Sequence, residues 1–137
     1  MSNMEKHPSD LACPCGGGRF ADCCGRFVLL QEIPQTAVEL MRSRYSAYVL
    51  RNEKYLKSTW YKSTRPSEPL FSGNDGMKWL DLTVCQHEQD GNWATVEFIA
   101  RYKLGGRACR LHEISRFVHE DCRWFYLDGY FPENSSK

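Results

Sequence analysis

The apolar positions of this chain follow two periods, a helical one in its first half and an alternating one in its second. From Thr36 to about Leu50, Ala37, Leu40, Met41, Tyr45 and Tyr48 recur three and four apart and share one helical face. Thr36-Ala37-Val38-Glu39 has the form of a capping box, with Thr36 as N-cap and Glu39 reaching back from the third helical position. Arg44 falls inside the apolar stripe, where an unpaired charge is costly, so it must snorkel or find a carboxylate. Asn52 can cap a second, shorter helix through Trp60. Residues 61–76, with Pro66, Pro69, Gly73 and Gly76, predict a loop.

Beyond that loop the period is two. Trp79 to Gln86, Trp93 to Leu104, Arg107 to His119 and Cys122 to Tyr130 predict four strands rich in β-branched and aromatic residues. Asp90-Gly91-Asn92, Gly105-Gly106 and Glu120-Asp121 separate them as short hairpin signals. Helices first and an antiparallel meander afterwards make an α+β fold, with the helices packed on the sheet. A two-residue Gly105-Gly106 loop sets Leu104 opposite Arg107 and fixes the register outward from there. Val96, Phe98, Ala100, Tyr102, Leu111 and Phe117 then share the core face with Glu113 and Ser115. Thr95, Glu97, Arg101, Lys103, Arg110, His112 and Arg116 take the outer face, where the basic row is a solvated surface before it is a phosphate track.

If Glu120-Asp121 is also a two-residue turn, Asp128 stands opposite Glu113, with Trp124, Tyr126 and Tyr130 on the same face. Arg44, Glu113 and Asp128 then meet on the concave side. One reading is a buried ion network that fixes the helix on the sheet. The other is a pocket in which one carboxylate, raised in pKa by its neighbour, serves as acid or base.

The strongest chemical signal lies before all of this. Cys13, Cys15, Cys23 and Cys24 form C-x-C and C-C pairs around a seven-residue loop that holds three glycines. Four soft thiolates at that spacing suit a tetrahedral zinc with Zn–S distances of roughly 2.3 Å. Four cysteines so close together are a poor disulfide framework. Cys85, Cys109 and Cys122 are scattered singly and are expected as small core residues. His7 sits in the N-terminal segment, His87 beside a hairpin turn, and His112 and His119 on the surface or rim.

Composition narrows the partners. At 137 residues, 42% hydrophobic and 13% aromatic, the chain holds one domain with a core and a small appendage. Residues 1–30 are the flexible terminus and knuckle, and 31–137 the α+β body. A net charge of +1 provides no global field toward DNA or anionic lipid, which argues against nucleic acid as a partner. No apolar run approaches the roughly 20 residues of a membrane span. Residues 1–11 are polar and mixed in charge, unlike a signal peptide, so the cytoplasm is the expected compartment.

Two groups of residues resemble known families. Cys13-Pro14-Cys15-Gly16-Gly17-Gly18, with Phe20, Cys23 and Cys24, resembles the SEC-C motif, a zinc module first recognised on the preprotein translocase motor SecA. The usual loop between its second and third ligands has eight residues, one more than here. Leu40-Met41-Arg42-Ser43-Arg44-Tyr45, Thr59-Trp60, Phe98-Ile99-Ala100-Arg101-Tyr102, His112-Glu113-Ile114-Ser115 and Trp124-Phe125-Tyr126-Leu127-Asp128-Gly129 resemble the body of the YchJ family. That family joins a SEC-C motif to a nuclear-transport-factor-2-like domain. The resemblance implies a cone, helices packed into a strongly curved sheet around a pocket, and no established reaction. Longer relatives carry a second knuckle at the C-terminus, where this sequence reads Pro132-Glu133-Asn134-Ser135-Ser136-Lys137.

The expected function is a zinc-binding adaptor module whose knuckle docks a protein partner, similar to the SEC-C motif of the translocase motor. The alternative is a small-molecule enzyme or ligand carrier that uses the cone near Arg44, Glu113 and Asp128. The cone interior discriminates between them: a filled one favours the adaptor, an open cavity reaching the carboxylates favours the pocket.

Overall fold

The computed structural model describes residues 11–71, 73 and 76–132; the N-terminal segment that holds His7 and the last five residues lie outside these. In chain order come a 3-10 turn (Phe20–Asp22), α1 (Gly25–Val28), α2 (Ala37–Val49), α3 (Glu53–Ser58), β1 (Met77–Asp90), β2 (Trp93–Leu104), β3 (Arg107–Glu120) and β4 (Arg123–Tyr130). The strands form one antiparallel sheet in the order β1-β2-β3-β4, so the fold is α+β.

Local chemistry starts both longer helices. The Thr36 hydroxyl accepts from the Glu39 amide at 3.0 Å. The Glu39 carboxylate reaches back to the Gln35 amide at 2.8 Å, one residue before the amide a capping box uses. Asn52 Oδ1 accepts from the Tyr55 amide at 3.0 Å and opens α3. The apolar face of α2 lies against the concave side of the sheet, where Leu40, Met41 and Tyr45 join Val96, Phe98, Ala100, Phe117 and Trp124 in one core. The end of α3 is zipped to β4: Tyr126 N donates to Thr59 O, and Tyr61 N to Tyr126 O, both at 2.8 Å.

The β2–β3 hairpin has the register its turn demands. Gly105 and Gly106 both take positive φ, 61° and 82°, and Leu104 faces Arg107 and Phe98 faces Glu113. The β3–β4 hairpin departs from expectation in two places. Its turn is Asp121-Cys122, both left-handed at φ 56° and 67°, so Glu120 faces Arg123. A bulge follows: Phe117 faces Tyr126, but the next residue, Arg116, faces Asp128, and Leu127 has no opposite. One extra residue moves every later side chain to the other face. Trp124 and Tyr126 stay inside, whereas Asp128 and Tyr130 turn outward and Gly129 takes the inner place opposite Ser115. The expected meeting of Asp128 with Glu113 on the concave side is corrected by that bulge.

Among the described residues no helix is long and apolar enough to cross a membrane.

Candidate metal centre and cone pocket

The knuckle is folded by its own backbone. Cys13 N donates to Gly18 O at 2.7 Å and Phe20 N to Leu11 O at 2.8 Å, which turns the glycine loop back on itself. Cys23 and Cys24 then arrive at the start of α1, and the four sulfurs of Cys13, Cys15, Cys23 and Cys24 lie within 4.8 Å of one another. Sulfurs at about 2.3 Å from one tetrahedral metal stand about 3.8 Å apart. The Cys15 and Cys23 sulfurs are at 3.5 Å. A Cβ at Gly17 would sit 2.8 Å from Cys23 Sγ and 3.3 Å from Cys15 Sγ, so only glycine leaves room for the four sulfurs.

Their electrostatics ask for a cation. Hydrogen bonds from Cys15 and Cys24 hold the Cys13 thiol far below its usual range. The bond to Cys13 pushes Cys24 up, and burial followed by the Cys15 neighbour pushes Cys23 up to about 11. Four thiolates this close repel one another, and a bound metal cation is what offsets that repulsion. The donor set and its spacing fit a metal site, and the seven-residue loop is long enough to assemble it.

The knuckle shares the core of the body. Arg42 Nη1, on α2, donates to the Cys15 carbonyl at 3.0 Å, and Cys13 Sγ meets Ser46 Oγ at 3.5 Å. Phe20 and Val28 belong to the same apolar cluster as Leu40 and Met41.

On its other side α2 roofs a cavity of about 240 Å³ over the concave sheet. Trp79, Phe98, Leu111 and Phe117 give it apolar walls, and Arg44, Tyr48, Glu113, Ser115 and Tyr126 its polar groups. Arg44 is only 5% exposed. Its Nη1 donates to the Leu56 carbonyl at 2.7 Å and to Thr59 Oγ1 at 2.8 Å. The guanidinium carbon lies 4.4 Å from the Tyr126 ring centre and 4.9 Å from that of Trp60. The Tyr48 hydroxyl lies against it as well. Burial pushes the Arg44 pKa down, and Glu113 opposes this only as the weakest of several neighbours. No described carboxylate stands within ion-pairing distance of Arg44.

Glu113 is held separately. Its Oε2 accepts from Ser115 Oγ at 2.8 Å and from the Tyr126 hydroxyl at 3.3 Å. Burial, then the Glu113 charge, push Tyr126 up, which keeps its hydroxyl protonated and donating. A Cβ at Gly129 would collide with Glu113 Oε2, so the bulge that expels Asp128 also supplies the glycine that seats this carboxylate.

Asp128 is outside. Both its oxygens accept from Arg116, Oδ1 from Nε and Oδ2 from Nη2, each at 2.7 Å, with both side chains nearly half exposed. That bidentate pair holds its carboxyl below the usual range. The structure therefore brings Arg44 and Glu113 to one cavity and leaves Asp128 off it. Asp128→Asn is expected to change stability by less than about 1 kcal/mol in urea unfolding, the range of exposed ion pairs.

Arg101 pairs with Asp81 across β1 and β2, so two of the four residues of the basic row are already neutralised by protein carboxylates. His112 is more covered than a rim residue, 12% exposed at its side chain, with Nε2 2.7 Å from Glu97 Oε2. Cys85 and Cys122 are exposed and Cys109 half-buried, because Cys85 lies at a β1 bulge and Cys122 in the last hairpin turn. These three are not core residues. Sequence reasoning missed Arg42, Ser46 and Gly129; a glycine inside an aromatic strand was the one available signal.

Residues 36–129 match the family described as YchJ, middle NTF2-like domain. The chain belongs to the YchJ family. This YchJ-family protein is 55% identical over 124 residues to a UPF0225 protein of Cupriavidus metallidurans, across 85% of this chain and 86% of that one. It is similar to a SEC-C motif containing protein from Rhodopseudomonas palustris, at 32% identity and a TM-score of 0.77, covering 89% of this chain and 99% of the other. A second SEC-C motif containing protein, from Psychrobacter arcticus, superposes with a TM-score of 0.73 at 26% identity, over 91% and 85% of the two chains. A SEC-C cysteine cluster joined to a nuclear-transport-factor-2-like α+β domain is thus the architecture of this YchJ-family chain.

Proposed function

We propose that this chain is a zinc-stabilised ligand-binding protein of the cytoplasm, in which the knuckle clamps α2 and the cone behind α2 takes a small organic molecule. The observation that carries this reading is the cavity of about 240 Å³ reaching Arg44 and Glu113. A filled cone would have favoured the adaptor reading; the cavity reaches one of the two expected carboxylates, Glu113, and not Asp128. An engineered cavity of roughly 150 Å³ holds benzene, so this one suits a molecule of roughly ten to thirteen non-hydrogen atoms. The test is a fragment screen at that size by amide NMR on the full zinc-loaded chain. Shifts centred on Trp79, Leu111 and Phe117 support the reading, and a screen in which no fragment moves them rejects it.

Zinc is the metal the donors favour, because an all-thiolate, closed, tetrahedral shell is the pattern of structural zinc. Such a shell has no open position, so the metal holds structure and leaves chemistry to the cone. Protein purified without added metal is expected to carry about one zinc per chain by elemental analysis, and Cys15→Ser to lose most of it. Stoichiometric zinc surviving that substitution would sink the assignment.

A protein partner at the knuckle is a second reading. It is supported by Leu29, Leu30 and Ile33, which stay exposed where the chain leaves α1.

A further inference from the structure

Resting on that reading of the cone, we infer that its ligand is a neutral ring compound bearing a hydroxyl group, and that Glu113 receives the hydroxyl. Size and walls set the body of the molecule. A cavity of about 240 Å³ between Trp79, Phe98, Leu111 and Phe117 fits a fused pair of rings better than a chain or a polar metabolite.

Charge sets its polarity. Arg44 and Glu113 both line the cavity, one of each sign. A ligand anion drawn to Arg44 is repelled by Glu113, and a cation the reverse, so neither charge gains a clear net attraction to offset its desolvation. A neutral molecule avoids that cost.

The two groups differ in what they still offer. Arg44 is held by the wall, Nη1 on Leu56 and Thr59 and its face on Tyr126 and Trp60, and what it offers a ligand is donors. Glu113 has two donors on Oε2 and, among the described residues, none on Oε1. That second oxygen is an acceptor site open to a donor on whatever fills the cavity. Ser115, Tyr126 and the space at Gly129 hold it in one place. A hydroxyl bonded to a fixed carboxylate makes one of the shorter and stronger hydrogen bonds available.

Calorimetry and amide NMR on the full zinc-loaded protein, with four probes of one shape, test this. They are naphthalene, 2-naphthol, 2-naphthoate and 2-naphthylmethylammonium. 2-Naphthol is expected to bind at least about tenfold tighter than the other three, the effect of one charge-assisted hydrogen bond. Glu113→Gln should cost 2-naphthol about tenfold and leave naphthalene unchanged. Gly129→Ala should act in the same direction by displacing the carboxylate; should that variant fail to fold, Glu113→Gln carries the test alone. Asp128→Asn should leave all four affinities as they are. Equal or tighter binding of the anion or the cation, or a 2-naphthol affinity indifferent to Glu113→Gln, would overturn the ligand class and leave the cone site standing. If no probe moves the amides of Trp79, Leu111 or Phe117, the site itself falls, and this inference with it.

Discussion

Chelating the metal is expected to strip hydrogen-exchange protection from residues 11–30 and from Leu40 to Ser46 of α2, while β2 and β3 keep theirs. Metal binding is folding energy for the segment it ties together, an apparent free energy of about 10–16 kcal/mol in isolated zinc-finger peptides. Residues 11–30 are too few to hold a core of their own without it. Read from the sequence, that segment is an appendage, and the loss would stop near residue 30. The packing says otherwise. Cys13, Cys15 and Cys24 are buried in the cluster that contains Leu40 and Met41, Arg42 bonds to the Cys15 carbonyl, and Ser46 touches the Cys13 sulfur. Opening the knuckle therefore uncovers one side of α2, whereas the sheet side stays packed on Val96, Phe98 and Phe117. Exchange measured with and without chelator, and on Cys15→Ser, gives the answer. Protection lost across Trp93 to Phe117 would make the sheet itself metal-dependent, and an α2 left untouched would restore the appendage.

What the sequence displayed was local chemistry. The Thr36 and Asn52 caps, the Gly105-Gly106 hairpin and the cysteine spacing are decided by residues within a few positions of one another, and each has its expected effect. What it concealed depends on long-range packing. No residue type marks Leu127 as a bulge, and a bulge gives up little of the β3–β4 ladder, yet that extra residue exchanges Asp128 for Gly129 on the concave face. The Asp121-Cys122 turn was equally hidden, because cysteine is not a residue that favours a left-handed backbone. Arg44 teaches the same point from the energetic side. Its place on an apolar stripe correctly signalled a buried cation. The helical period suggested a carboxylate partner, but the fold supplies a carbonyl, a threonine hydroxyl and two ring faces instead.

That arrangement makes Arg44→Ala the most damaging single substitution expected in the body, about 3 kcal/mol or more by urea unfolding of the metal-loaded chain. Truncating a long buried side chain enlarges the cavity beneath α2, a change that typically costs 2–5 kcal/mol in large-to-small series. It also leaves the Leu56 carbonyl and Thr59 hydroxyl short of a donor, about 1–3 kcal/mol for a buried group, and removes the cation from Tyr126 and Trp60. Relief of the desolvated charge offsets part of this, so the contributions do not simply add. Glu113→Gln is expected to cost about 1 kcal/mol or less. Glutamine keeps an acceptor for Ser115 and Tyr126, and no ion pair is broken because Arg44 is not within reach. A genuine buried pair would behave differently, losing about 3–5 kcal/mol from either side. The ratio of the two losses is therefore the measurement that matters. If Glu113→Gln falls as far as Arg44→Ala, the two charges depend on each other in solution. The carboxylate would then belong to the scaffold, and the cone would lose the acceptor on which its proposed ligand rests.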